Sequence, residues 1–540
     1  MSRRPPLVHA AVISLALLAG ASASGPAVAK GREKDPAPAA TSSVGSSAPA
    51  SGVDDTARKA AFAEYEGQLA TGQKARAADA LVALVDDPAR AAFHAEAYTR
   101  LGDLFGELSL PYAAAIAYAK GFDLADPTNV ADIGQRVPKA LEAAIKVGDR
   151  AVLQPAFAKN VGLARTEDVR GQMAYLAARE NVRQKNYGVA LGVIKMVPRG
   201  DPLYPEARAL EGIVLSQQER WQDALTAFQD AQKAGGAKGK EFLDLQTLNL
   251  ARAYYGAGNY PQAMRAFAAV SRESDQWPEA QFERSWAHFR VDDYNGTLSL
   301  LMSLDNPFFA DFYYPEADLL RVYSAFMMCK FPASKALVED FITHYKPIQA
   351  TLKGWQGKTA ADAFEAARRF REKGETGDLP RMILRPWATE ERFGESIAAV
   401  DSANDELNRL KNVAANPFSD RARQWVTDRR NALIGAEGRR IQDRVAGQEA
   451  QLAEMLLNVQ LFTVDIQAMT ARLLQQAAEI GKMPDAARTV QREDPVRKGW
   501  QEWPYEGEVW ADEIGYYRVT TVPECPASLR QSVQSMDQKK

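Results

Sequence analysis

The sequence predicts an all-α protein, a helical-repeat solenoid followed by a long coiled-coil helical arm and a small aromatic-rich C-terminal segment. Three observations predict it. One pattern of large and small residues recurs with a period in the thirties, a heptad seam runs through the later part, and tryptophan and tyrosine concentrate near the end. The length of 540 residues, with 25% charged and 46% hydrophobic residues, is typical of a chain with several folded units.

The composition contains few of the residues that catalytic or metal sites use. A formal net charge of -3 gives no reason to expect nucleic acid as a partner. Two cysteines, Cys329 and Cys525, and four histidines provide neither a metal-ligand cluster nor a disulfide framework. The glycines and lysines from 235 to 240 lack the spacing of a phosphate-binding loop. We therefore expect no cofactor, no metal and no catalytic residues, and predict that the protein is not an enzyme.

The N-terminus is typical of a signal peptide over residues 1–29. Arg3 and Arg4 precede an apolar run from Leu7 to Gly20. Ala21-Ser22-Ala23 and Ala27-Val28-Ala29 are two possible cleavage sites, and an uncleaved anchor is the alternative. Ala21 stands where a lipoprotein would carry its lipid-bearing cysteine, so no lipid anchor is expected. Residues 30–56 are an Ala/Pro/Ser-rich linker that we expect to be disordered. The mature protein is expected to be periplasmic or secreted.

Residues 57–350 carry the repeat. An aromatic or large residue is followed three positions later by a small residue and four positions after that by a large apolar one, as in Trp221-Ala224-Phe228. Spacings of three and four place these side chains on one helix face, where a small residue lets a partner helix approach closely. Successive repeats are 34 to 39 residues apart. The equivalent positions are Ala77, Ala114, Leu153, Ala190, Ala224, Ala263, Thr297 and Ser334.

This pattern resembles the tetratricopeptide repeat (TPR) family. That family has small residues where Gly102, Ala114 and Gly121 stand, and bulky residues at Tyr98, Leu101, Phe105 and Tyr118. The copies around Ala77 and Leu153 match poorly, and an irregular helical bundle is the alternative. The later stretches Pro278–Trp286, Tyr314–Ala317 and Tyr345–Pro347 are similar to exported envelope repeat proteins of gliding bacteria, some of which are associated with surface motility.

The resemblance implies a partner-binding groove, because the first helix of each repeat lines the concave face in that family. Aromatic side chains flanked by arginines suit the binding of a peptide or helix. The alternative is that they pack inward or against a later part of the chain. The expected groove residues are Arg252, Tyr255, Phe282, Trp286, Phe289, Arg290, Tyr323 and Phe326.

A connector over residues 351–388 leads to a helical hairpin or coiled coil over 389–482, broken at Asn416-Pro417. The second helix is too long for the first to cover, since both rise by about 1.5 Å per residue. Its surplus must meet the same chain folded back, a second copy through residues 441–480, or another protein. The heptad seam consists of Ile441, Val445, Gln448, Leu452, Met455, Val459, Phe462, Ile466, Met469 and Leu473.

The tail, residues 483–540, is rich in aromatic residues, with Trp500, Trp503 and Trp510 close together. It is expected to cap the fold, or else to stack on sugars of the cell wall. Cys525 is a candidate for a disulfide with Cys329, although Cys329 is equally explained as a buried thiol in a repeat helix. We predict a scaffold that binds other envelope proteins through the groove and assembles through the arm. The alternative is a peptidoglycan-associated structural protein that binds through its tail.

Overall fold

A computed structural model describes residues 55–126, 129–163, 167–480 and 513–525. The predicted signal peptide and residues 30–54 of the predicted linker lie outside these ranges. Over the described residues the ordered elements are helices, which confirms the predicted all-α helical solenoid. In the same ranges, none of the helices is both long enough and apolar enough to cross a bilayer.

In the part of the chain that the structure describes, eight pairs of consecutive helices form the repeat array, with a short helix α5 (Val130–Gly134) between the second and third pairs. The pairs are α1 (Asp55–Ala70) and α2 (Lys74–Asp86), α3 (His94–Glu107) and α4 (Pro111–Asp123), α6 (Val137–Lys146) and α7 (Gln154–Lys159), α8 (Glu167–Arg183) and α9 (Tyr187–Ile194), α10 (Tyr204–Gln217) and α11 (Trp221–Ala234), α12 (Lys240–Gly256) and α13 (Tyr260–Ala268), α14 (Trp277–Phe289) and α15 (Tyr294–Leu304), and α16 (Pro315–Met327) and α17 (Phe331–Gly354). In seven of the pairs the two helices pack against each other, while in the third pair α7 packs instead on α8 and α4. Neighbouring pairs also pack against each other.

The turn inside each pair has the same backbone geometry. One residue adopts a positive φ of 57° to 74°, and the next residue donates its N–H to the carbonyl five positions earlier, as Lys330 does to Ala325. This arrangement is a Schellman motif, which satisfies the last carbonyls of the first helix. Each turn residue lies five positions before the equivalent position of its repeat, including Ala77 and Leu153 of the weak copies. The turn residues are Gly72, Ser109, Gly148, Lys185, Glu219, Gly258, Asp292 and Cys329.

Steric contact explains why the first helices carry a small residue. A Cβ added to Gly102 would lie 2.7 Å from the ring of Tyr118, and one added to Gly212 would lie 2.5 Å from the ring of Phe228. Both rings come from the second helix of the same pair, so the small residue admits the large one. The observed packing is therefore the one that the large and small residues of the sequence predict.

Four further helices follow the repeats: α18 (Ala360–Lys373), α19 (Arg381–Thr389), α20 (Glu391–Leu410) and α21 (Pro417–Ile480). The predicted connector over 351–388 thus contains the end of α17 and two helices of its own. Helix α21 has 64 residues and is therefore about 96 Å long.

The heptad seam of α21 is covered by the same chain folded back. Helix α20 runs beside the first part of α21, and α17 and α18 cover most of the rest. The core at this interface also contains Trp387 and Phe393. The seam is consequently not available for pairing with a second copy, which was one of the alternatives. Its buried residues are Ile441, Val445, Leu452, Val459, Phe462, Ile466 and Met469.

The start of α21 contacts the first two repeats. The backbone N–H of Phe418 donates to Asp79 of α2 at 2.8 Å, and Arg421 forms an ion pair with Asp86 at 2.7 Å. The ring of Trp425 lies 5.9 Å from that of Tyr98 in α3. Because the second half of α21 packs on α16 and α17, this helix bridges the first and last repeats.

A buried polar cluster fixes the same bridge to repeats two and three. Glu406 of α20 is 0% exposed and accepts the backbone N–H groups of Tyr112 and Ala113, both at 2.8 Å. Arg429 of α21 binds Asp149 with two hydrogen bonds of 2.7 and 2.8 Å, and the Tyr112 hydroxyl donates to the same carboxylate. These contacts join positions nearly 300 residues apart in sequence.

Candidate protein-binding face

Seven of the eight expected groove residues lie in three first helices, α12, α14 and α16, and Arg290 directly follows α14. The structure divides their aromatic side chains into two groups. Tyr255 and Phe289 pack at the edge of the cluster that contains Phe282 and Trp286. Tyr323 and Phe326 belong instead to the core that α21 completes.

Arg252 is a structural residue of the array. Its guanidinium is 5% exposed and donates to Glu283 at 2.6 to 2.9 Å and to Glu279 at 3.0 Å. Burial works against the charged form, but the two carboxylates outweigh it and keep the pKa of Arg252 above its ordinary value. Burial raises the pKa of Glu283 to about 7 despite the attraction of Arg252. This pair ties α12 to α14 and leaves Arg252 without a free face for a ligand.

Phe282 and Trp286 are core residues. The ring of Phe282 is stacked on that of Tyr314 at a centroid distance of 5.0 Å, and the hydroxyl of Tyr314 donates to Glu279 at 3.2 Å. Trp286 packs with Leu301 and Leu320. Because Phe282 and Trp286 are buried, they stabilise the neighbouring surface and are not themselves accessible to a partner.

An accessible surface remains at the turn end of repeats six and seven, and we call it the aromatic rim. It consists of Tyr255, Tyr260, Phe289 and Tyr294, all of them partly exposed. Tyr255 and Tyr260 form an edge-to-face pair at 5.3 Å, and Phe289 and Tyr294 form another at 5.4 Å. The exposed Arg290 adjoins the rim. Burial raises the pKa of Tyr255 to about 12, so its hydroxyl is neutral at physiological pH.

Sequence reasoning missed two rim residues, Tyr260 and Tyr294, although a signal for them existed. Each stands three positions before the small residue of its repeat, Ala263 or Thr297, where the repeat pattern places an aromatic residue. Reasoning from first helices alone overlooks them, because they begin the second helix. The turn brings both ends of the pair to one surface.

A pair of half-buried acids was missed as well. Glu279 and Glu316 each follow a proline in the first turn of a first helix, in the repeated triplet Pro-Glu-Ala. Glu316 accepts a hydrogen bond from Gln451 of α21 at 2.6 Å, and burial raises its pKa to about 7. Glu316 thus contributes to the attachment of α21, while Glu279 supports Arg252.

Tyr323 and Phe326 are covered by another helix of the same chain. The ring of Phe462 in α21 lies 5.1 Å from that of Tyr323 and 4.7 Å from that of Phe326. An apolar side chain presented by a helix therefore fills this part of the first-helix face.

The two cysteines lie together at the turn between α16 and α17. The structure joins Cys329 and Cys525 by a disulfide with a Cα–Cα distance of 5.1 Å. The described tail residues 513–525 run along α15, with which they share several hydrogen bonds. The tryptophans predicted to bind the cell wall, Trp500, Trp503 and Trp510, lie outside the described residues.

No protein-family model matches the sequence, and no curated protein matches it. Among solved structures, a tetratricopeptide repeat protein from Parabacteroides merdae is similar at 12% identity and a TM-score of 0.26, over 53% of this chain and 93% of its own. The TPR2AB domain of yeast Sti1, in a complex with pHSP90, is similar at 16% identity and 0.20, over 50% and 98%. The P58(IPK) TPR domain is similar at 13% and 0.18, over 68% and 97%. The assignment of a helical solenoid comes from the eight helix pairs themselves.

Proposed function

We propose that the protein is a non-enzymatic scaffold of the bacterial cell envelope, which binds a partner helix or peptide at the aromatic rim. One observation carries the proposal. Tyr255, Phe289 and Phe326 are equivalent positions in repeats six, seven and eight, separated by 34 and 37 residues, the spacings of the small residues. In repeat eight this position contacts Phe462 of a helix. In repeats six and seven it is partly exposed.

The partner chemistry follows from the surface. An aromatic or aliphatic anchor on an amphipathic helix is the group that packs at Phe326, and partly exposed aromatic rings bind such anchors at a low cost in side-chain entropy. The envelope location is supported by the sequence of residues 1–29. The likeness of Pro278–Trp286 and Tyr314–Ala317 to exported repeat proteins of gliding bacteria suggests a partner in the machinery of surface motility.

We expect Phe289→Ala to weaken partner binding about tenfold or more, since truncating a central aromatic contact commonly costs about 2 kcal/mol. The partner is first identified by a photocrosslinking residue placed at position 290 in the native envelope. Its affinity for the purified variants is then measured by calorimetry. Tyr255→Ala is expected to have a similar effect.

Phe308→Ala is the matched control, because Phe308 is 63% exposed and lies outside the rim. It should leave the affinity unchanged. Equal affinity of the wild type and Phe289→Ala for a partner crosslinked at position 290 would refute binding at the rim. The buried Trp286 is unsuitable for this test, because its truncation would open the core.

Assembly is the second part of the proposal, and it uses the face of α21 opposite to the seam. Leu457, Leu461 and Val464 are each more than half exposed there, and Ala468 and Ala471 continue the stripe. Their spacing alternates between four and three, the repeat that lets two helices coil around each other. Asn458, Gln460 and Gln467 beside the stripe are uncharged, while Glu454, Asp465 and Arg472 beside it carry charges of both signs. We propose that a second copy of the chain pairs with this stripe.

We expect Leu461→Glu to raise the dimer dissociation constant more than tenfold, because it places two carboxylates in the paired stripe. Sedimentation equilibrium over a concentration series measures the constant. Leu124→Glu, at a residue that is 45% exposed on another part of the surface, is the control and should not change it. A wild-type protein that stays monomeric throughout the series would overturn this part of the proposal.

A further inference from the structure

The described end of the tail is an extended segment, residues 513–525, which we call the strap. Its backbone N–H groups at Gly515, Val519 and Thr521 donate to side chains of α15 at 2.8 to 3.1 Å. The acceptors are Ser303, Ser299 and Asn295, which are four residues apart and therefore share one face of that helix. Asn295 also donates its side-chain amide to the carbonyl of Thr521 at 3.1 Å. The strap is held here by its main chain.

Few apolar side chains of the strap contribute to this contact. Ile514 is buried, but Tyr516 and Val522 are 65% and 56% exposed. Hydrogen bonds to hydroxyl and amide side chains each stabilise such a segment only modestly, because water competes for the same groups. A second constraint is therefore needed to keep the strap in place.

The end of the strap supplies that constraint. The backbone N–H of Glu524 donates to the carbonyl of Met328 at 2.9 Å, and its carboxylate pairs with Lys330 at 2.9 Å. These contacts place Cys525 against Cys329. Cys329 has a positive φ of 59° at the turn of repeat eight, a conformation that favours glycine.

We propose that the disulfide between Cys329 and Cys525 latches the strap onto α15. The two thiols lose two protons and two electrons to a disulfide oxidant, which is reduced to its dithiol. An oxidising compartment supplies such an oxidant. The bond joins the end of the strap to the turn of repeat eight. The strap therefore stays close to α15 when its hydrogen bonds open, and they form again by closing only a short loop. Cys329 is 0% exposed and Cys525 is 8% exposed, so the bond is shielded from small thiols in the folded protein.

The bond is tested on the full chain exported to a bacterial periplasm. After denaturation without reductant, N-ethylmaleimide should add to no cysteine, and after reduction it should add to both. A tryptic digest without reductant should contain residues 322–330 joined to residues 519–530. Two free thiols in the exported protein would overturn the proposal.

Latching is tested separately by hydrogen exchange. Cys525→Ser should raise the exchange rates of the Val519 and Thr521 amides at least tenfold over the wild type. The exchange of the buried helix α4, far from the strap, should stay unchanged and serves as the internal control. Ser299→Ala should speed exchange at Val519 while the disulfide still forms. Strap exchange that is unchanged in Cys525→Ser would show a disulfide without a latching role.

Discussion

Glu406→Ala is expected to lower the free energy of unfolding by about 3 kcal/mol, because each buried N–H left without an acceptor costs about 1–3 kcal/mol. The two N–H groups belong to Tyr112 and Ala113 in the first turn of α4. Leu110, the residue before this helix, provides no side-chain cap. The carboxylate of Glu406 thus caps α4 from elsewhere in the chain and also complements the positive end of its dipole.

Urea unfolding, followed by circular dichroism, measures the change for Glu406. The matched control is Asp405→Ala, which removes the neighbouring exposed carboxylate and should change the free energy by less than about 0.5 kcal/mol. Glu406→Gln keeps an acceptor oxygen but loses the charge, so it should lie between the two. Equal stability of Glu406→Ala and Asp405→Ala would show that the cap contributes nothing.

The second large effect is expected at Gly438, in the middle of α21. A Cβ at this position would overlap the carbonyl oxygen of Ala360 and lie 2.9 Å from its Cα, at the start of α18. Backbone atoms cannot rotate away, so Gly438→Ala is expected to destabilise the protein by about 1–3 kcal/mol. This loss exceeds the gain of about 1 kcal/mol that alanine normally brings to a helix.

Gly447 provides the control for Gly438, since a Cβ there meets nothing within 4 Å. Gly447→Ala should therefore stabilise the same helix by up to about 1 kcal/mol. Thermal unfolding of both variants measures their changes in stability, which should have opposite signs. A stabilised Gly438→Ala protein would mean that α18 and α21 do not cross as closely as described.

Much of the fold is predictable because the repeat pattern consists of residues only three or four positions apart in sequence. Trp221, Ala224 and Phe228, for example, lie on one face of a helix regardless of the structure of the rest of the chain. The heptad seam of α21 is readable for the same reason. Even the left-handed turns keep this register, although Lys185 and Glu219 at these turns give no sign of a positive φ in the sequence.

The contacts between distant segments were not predictable. Glu406 is one acid among several in α20, and nothing in its spacing points to Tyr112, which lies 294 residues earlier. The groove prediction was limited in the same way. The pattern places Phe289 and Phe326 in equivalent positions, but only the fold decides that Phe462 covers one of them. Separating the rim from the core requires knowing the path of α21.

The bridge formed by α21 has a consequence for how the array unfolds. An open solenoid loses its terminal repeats first, since each repeat contacts only its neighbours. Here the first and last repeats are both attached to one continuous helix, through Phe418 and Trp425 at one end and Phe462 at the other. Fraying of either end must break contacts with α21 that also hold the opposite end. The protein should consequently unfold as one cooperative unit, and its ends should be as protected as its middle.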